Sequence, residues 1–198
     1  MLLISNTMVD NLAQGVTSFT SNVFFVPGEE PALVDVGANF DIVKQLQERS
    51  VPEKIVITHT HPDHVRNLSD VQSEFDIDTY GFDGSYNGIN HEIKDGQTIT
   101  LGDHTYEVAH TPGHKNDHVC LYASQPGILF GGDLVFQNGS FGRTDLEEGD
   151  RSLLIESINR IAKLVEGSLS ELHPGHGPSI SNEPYDHIML AGQMAQQR

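Results

Sequence analysis

The chain has 198 residues, 37% of them apolar, and a formal charge of −17 from 28 acidic against 11 basic side chains. That composition belongs to a globular chain rather than a disordered or fibrous one, and a field of that sign repels polyanions and anionic membranes, which sets nucleic acid and lipid surfaces aside. The single cysteine, Cys120, excludes an internal disulfide framework, and no stretch reaches the ~20 apolar residues that span a bilayer.

The opening MLLISNTMVD lacks the basic flank and long apolar core of a signal peptide, so the expected location is the cytoplasm. The length suits one domain over 1–198. The acidity is spread along the chain rather than gathered in a tail. It has two readings, a protein from a salt-accumulating organism or an ordinary acidic cytosolic protein.

In chain order, short apolar runs bounded by glycine, proline or polar clusters predict strands within 31–37, 53–58, 75–82, 98–110, 118–124, 127–133 and 169–173. The Gly102-Asp103 pair marks a hairpin inside the fourth run. Helical spacing appears over 39–50, where Ile42, Val43 and Leu46 share a face, and over 150–167, where Leu154, Ile158, Ile161, Leu164 and Val165 recur between Asp150 and Gly167. Further helix is expected from Pro62 to about residue 74 and over 183–197. Strands and helices mixed in this way predict a layered α/β or α+β domain. Cys120, inside HVCLYAS, reads as a small buried hydrophobe.

The stretch THTHPDH, 58 to 64, gathers His59, His61, Asp63 and His64 in one turn. Imidazoles and a carboxylate crowded together cost desolvation unless a metal draws them in. His59 and His61 lie two apart at a strand end and project to one side, while Pro62 suits the first turn of a helix carrying Asp63 and His64. Two sets of ligands leaving one turn suit two ions. His114 in TPGH, Asp133 in FGGD and His176 in HPGHG each follow an apolar run beside glycine, where the backbone must turn sharply or approach a ligand closely.

HTHPDH, TPGH, GGD and HPGHG, in that order, resemble the metallo-β-lactamase fold superfamily. The resemblance implies a four-layer αββα sandwich with metals at the edge of its two sheets. It puts His59, His61 and His114 on one ion, Asp63, His64 and His176 on the second, and Asp133 as the bridge. Asp35 in LVDVG either orients a ligand or simply ends a strand. Lactamases of the superfamily commonly carry cysteine where Asp133 stands, and the GRTD element at 142–145 resembles short glyoxalase II-like hydrolases and persulfide dioxygenases. Arg143 is a candidate to face substrate, or to fix its loop by a salt bridge. Asn67 replaces a common glycine, and Lys115-Asn116-Asp117 departs from the usual link after His114.

The resemblance implies a metal-dependent hydrolase of thioesters working on a small molecule with two divalent cations, zinc first, iron or manganese as alternatives. Asp63 and Asp133 are its candidate catalytic carboxylates. Water shared by two such ions ionises near neutral pH, so no serine or cysteine nucleophile is needed. His118 is a candidate pocket residue or a hydrogen-bonding one, His173 a candidate support for a ligand, and His91, His104, His110 and His187 read as structural or surface residues. The loops at 83–92 and 138–145 are the candidates to hold substrate, because too little chain follows His176 for a helical glutathione-binding domain. The rivals are a mono-iron persulfide dioxygenase using His59, His114 and Asp133, a phosphodiesterase, and a non-catalytic binding module. The oligomeric state is left open.

Overall fold

Alternation along the strands sorts the apolar side chains into separate layers of core. In β2 (Phe24–Val26), β3 (Ala32–Val34) and β4 (Lys54–Val56), the side chains of Phe24, Val26, Ala32, Val34 and Val56 enter one cluster and those of Phe25, Leu33 and Ile55 another, as a two-residue period requires. The computed structural model describes residues 9–197, so most of the opening stretch read for a signal peptide lies outside the described residues.

These strands, with β1 (Asp10–Asn11), β5 (Asp78–Gly81) and β6 (His91–Glu92), form a six-stranded sheet in chain order, parallel from β3 to β6. A second sheet contains β7 (Thr98–Leu101), β8 (His104–His110), β9 (Val119–Ala123), β10 (Ile128–Gly132) and β11 (Glu171–Pro174), in the order β11-β10-β9-β8-β7. Its one parallel pair is β10 with β11. The expected hairpin closes at Gly102 and Asp103, with Leu101 opposite His104.

Tyr106, Val108, Leu121 and Phe130 meet Phe24, Val34 and Val56 between the sheets. Leu33 and Ile55 pack instead on Ile42 and Leu46 of α1 (Ile42–Gln47) and on Leu68 and Val71 of α3 (Leu68–Glu74). Cys120, Leu129 and Leu172 pack on Leu154, Ile158 and Ile161 of α4 (Arg151–Val165) and on Ile188 of α5 (Pro184–Gln197). The order is therefore helix, sheet, sheet, helix, as expected. Each such fully buried side chain contributes ~1.5–3 kcal/mol before entropy is counted.

The helix expected from Pro62 to residue 74 is two helices, α2 (Pro62–Val65) and α3. Asn67 sits at the break with its amide buried and donating to Val36 O at 3.1 Å and Phe40 O at 3.3 Å, which ties the turn to the loop after β3. Cys120 is fully buried and its thiol is pushed up to about 12 by burial, in line with an inert packing role. Among the described residues no helix is long and apolar enough to cross a membrane.

Candidate metal centre

The cluster gathers where strands of both sheets end. Asp35 follows β3 with φ at +60°, a left-handed conformation uncommon for a residue with a side chain. Its carboxylate accepts Thr58 N–H at 2.8 Å and Thr58 Oγ1–H at 2.8 Å, and meets His64 Nδ1 at 2.8 Å. Of its two readings, the ligand-orienting one fits: with Nδ1 engaged, His64 turns Nε2 toward the cluster. Pro62 opens α2 as anticipated, and His61 precedes it in extended conformation.

The second sheet supplies the other side. The loop carrying His114 docks on the N-terminal half of α4, where Asp150 N–H donates to Gly113 O at 2.8 Å and Ser157 Oγ–H to Pro112 O at 2.7 Å. Gly113 has φ of +129°, and a Cβ there would strike the backbone of Leu154, so glycine is required. His114 Nδ1 donates to Arg143 O at 2.8 Å, which aims Nε2 inward. Asp133 follows β10 and His176 follows β11. Asn22 holds that last turn through its amide, which donates to Pro174 O and Gly177 O at 2.8 Å each. A methyl on Gly175 would overlap Asp133 Oδ1 and stand 2.9 Å from His64 Cε1.

His59 Nε2 and His61 Nδ1 lie 3.1 Å apart, and His61 Nδ1 and His114 Nε2 2.9 Å. Asp63 Oδ2 stands 3.0 Å from His176 Nε2 and 3.9 Å from His64 Nε2. Between these two groups, Asp133 reaches His64 Nε2 at 3.4 Å through Oδ1, and His114 Nε2 at 3.4 Å and His176 Nε2 at 3.6 Å through Oδ2. His64 Nε2 and Asp133 Oδ1 are buried with no hydrogen-bond partner among the described residues. Such orphans are costly unless something else engages them, and neutral nitrogen plus carboxylate is the donor set divalent transition ions take.

The electrostatics fit as well. Burial, followed by its histidine neighbours, holds His59 well below its ordinary value, so its imidazole is neutral and able to ligate. Burial disfavours the His64 cation, yet Asp35 and then Asp133 outweigh it and raise His64 well above its ordinary value. Burial likewise resists ionisation of Asp133, but His64 leads in pulling it below the usual carboxylate range. The carboxylates thus make this a place that favours positive charge.

Two candidate substrate residues come out differently. His118 does not line the cavity: it is fully buried, Nε2 accepts Asp133 N–H at 2.9 Å, and Nδ1 pairs with Thr111 Oγ1 at 2.8 Å. Arg143 is exposed at the rim, where its guanidinium pairs with Asp145 at 2.9 and 2.8 Å. His173 points between the sheets at Phe24 and Phe130 and bonds Ser179, away from the cluster. The loop 83–92 does not reach the cavity either, because Asn90 ties it to Thr79 and its end joins the first sheet as β6.

Beside the cluster lies a cavity of about 550 Å³ whose floor includes His61, Asp63, His114, Asp133 and His176. Phe136, Phe141 and Leu146 form one wall. Phe19, unremarked in the sequence because it stands in a polar loop, forms the other and stacks on His176 at 5.7 Å.

Comparison with known proteins gives a consistent result. A family model described as the metallo-beta-lactamase superfamily matches residues 16–176. A hydroxyacylglutathione hydrolase of Yersinia pestis is 33% identical over 161 residues, 80% of this chain and 61% of its own, so this chain spans less than two thirds of that relative. The BLEG-1 B3 metallo-beta-lactamase structure is 29% identical with a TM-score of 0.78, covering 93% of this chain and 99% of its own. TTHA1623 in a di-iron-bound form is 26% identical with a TM-score of 0.71, covering 88% and 94%.

Proposed function

This chain belongs to the metallo-β-lactamase superfamily, and from that premise we propose that it is a binuclear metal-dependent hydrolase of thioesters. The observation that carries the reading is the pair of convergent groups, His59, His61 and His114 on one side and Asp63, His64 and His176 on the other, with Asp133 reaching both. The second group counts against the mononuclear dioxygenase, and metal analysis discriminates between the two. The name of the Yersinia relative favours a thioester, and the di-iron form of TTHA1623 favours two ions.

In this reading His59, His61 and His114 would hold one cation, Asp63, His64 and His176 would hold the other, and Asp133 would be shared between them. Zinc is the first expectation, with iron or manganese as alternatives. When bound, divalent cations supply Lewis acidity toward a carbonyl oxygen and acidify water to near neutral pH. Asp35 fixes His64 and the Arg143 carbonyl fixes His114, so the donors need not reorganise during reaction. Asp63 faces the cavity and takes the proton that water gives up as it attacks the thioester carbonyl. The departing thiolate, with a thiol pKa of about 8.5, leaves without an acid.

The test is elemental analysis of protein purified without chelator, followed by assays on thioester, persulfide and β-lactam substrates. Two divalent ions per chain with thioester turnover is the expected result. A reproducible single iron with persulfide oxidation, or turnover confined to β-lactams, would replace this reading.

A further inference from the structure

We propose that the cavity selects thioesters whose thiol half carries no net negative charge and whose acyl group is apolar; this rests on the thioester reading above. Two independent observations carry it. The first is the wall. Phe19 is 74% and Leu146 39% exposed at the mouth, facing the same space as Phe136 and Phe141. Apolar surface left open around a polar floor is stabilised by an apolar ligand group that covers it.

The second is the fate of the cations. Among the described residues, Arg143 is the only lysine or arginine lining the cavity, and Asp145 holds its guanidinium by two hydrogen bonds. Lys115, in the adjoining hollow, is engaged by Glu148 at 3.0 and 3.1 Å and by Asp117 at 3.4 Å. Arg151 stands behind Phe141, 4.4 Å from the ring centre, and donates to Ala195 O. Of the residues outside the described range, 1–8 contain no lysine or arginine and residue 198 is an arginine. A carboxylate on the thiol half would have to share Arg143 with Asp145, whose charge already offsets the guanidinium's, or settle against Glu148, on a chain of charge −17. Glutathione, with two carboxylates, is poorly matched to such a rim. An uncharged thiol meets no such penalty.

The experiment uses the full metal-loaded chain at physiological ionic strength, where surface charge is not exaggerated. Hexanoyl thioesters of N-acetylcysteamine, uncharged, and of glutathione are compared, and the acyl chain is varied from acetyl to hexanoyl on the uncharged thiol. The expected kcat/KM is about tenfold or more higher for the uncharged thioester, rising about two- to fourfold per methylene until the cavity fills. Asp145→Asn, which releases Arg143, should narrow the gap between the two thiols by about two- to fivefold. Equal rates or a preference for glutathione would overturn the charge half, and a flat acyl series the apolar half. Should no thioester be hydrolysed, the thioester reading fails and calorimetry with non-hydrolysable S-hexyl thioethers of the same two thiols decides the rest. Tighter binding of the uncharged thioether would support the selectivity, and equal or weaker binding would overturn it.

Discussion

The ring of His118 hangs from the backbone of Asp133: Nε2 accepts the Asp133 N–H at 2.9 Å, which leaves the proton on Nδ1 to donate to Thr111 Oγ1. Burial, ahead of the nearby histidines, lowers His118 to about 3, so it stays neutral at any working pH and the tautomer is constant. His118→Ala should therefore retain both metal ions by elemental analysis while lowering stability by ~1–3 kcal/mol, the cost of an unpaired buried N–H. Asp133→Ala should lose metal and all measurable hydrolysis. Loss of metal in His118→Ala would show that the ring itself ligates.

Asp35 bears directly on one candidate ligand, His64, and reaches His59 only through Thr58, whose Oγ1 stands 3.2 Å from His59 Nδ1. It touches His64 and Thr58 but none of His59, His61 or His114. Asp35→Ala should weaken one of two binding steps by about ten- to a hundredfold, as loss of a ligand's outer hydrogen bond typically does. Titration with zinc, followed by calorimetry, checks it. Equal weakening of both steps would mean that the variant acts by loosening the whole turn.

Gly175 supplies a steric test that leaves every candidate ligand residue in the sequence unchanged. An added methyl meets Asp133 Oδ1 and His64 Cε1, so Gly175→Ala should displace the bridge and cost at least ~10²-fold in kcat. Circular dichroism should remain that of the parent. Undiminished activity would place the bridging role elsewhere.

The charge of −17 predicts a salt response. The folded chain confines repulsion that a Debye length of ~3 Å at 1 M salt largely screens. Melting temperature of metal-saturated protein should rise markedly from dilute buffer to molar potassium chloride, with thioester turnover retained. Full stability in dilute buffer and inactivation at molar salt would refute the high-salt reading and leave the metal centre untouched.

What the sequence disclosed followed how local its signal was. Ile42 and Leu46, or Leu154, Ile158 and Ile161, announce their helices because one face repeats within a few residues. The close set from His59 to His64 announces itself for the same reason. Strand β2 was legible but went unread: FFV, like the ALV of β3, is three buried residues, and Pro27-Gly28 closes it. The helix break at Asn67 depends on acceptors at Val36 and Phe40, some thirty residues away, and nothing near Asn67 records them. Which of its two readings holds for His118, and that the 83–92 loop turns from the cavity, were hidden in the same way. Their direction is set by Asp133 and Thr79, which spacing alone does not bring near.

His59, His61, Asp63 and His64 hang from the first sheet, whereas His114, Asp133 and His176 hang from the second. Ions gripping all seven would staple the two halves of the chain together at their open edge. Occupancy then contributes to the lifetime of the protein, since a ligand at a hundred times its Kd adds ~2.7 kcal/mol to the folded state. A cell starved of metal would hold fewer copies because proteases clear the loosened chains, so abundance itself would report metal supply.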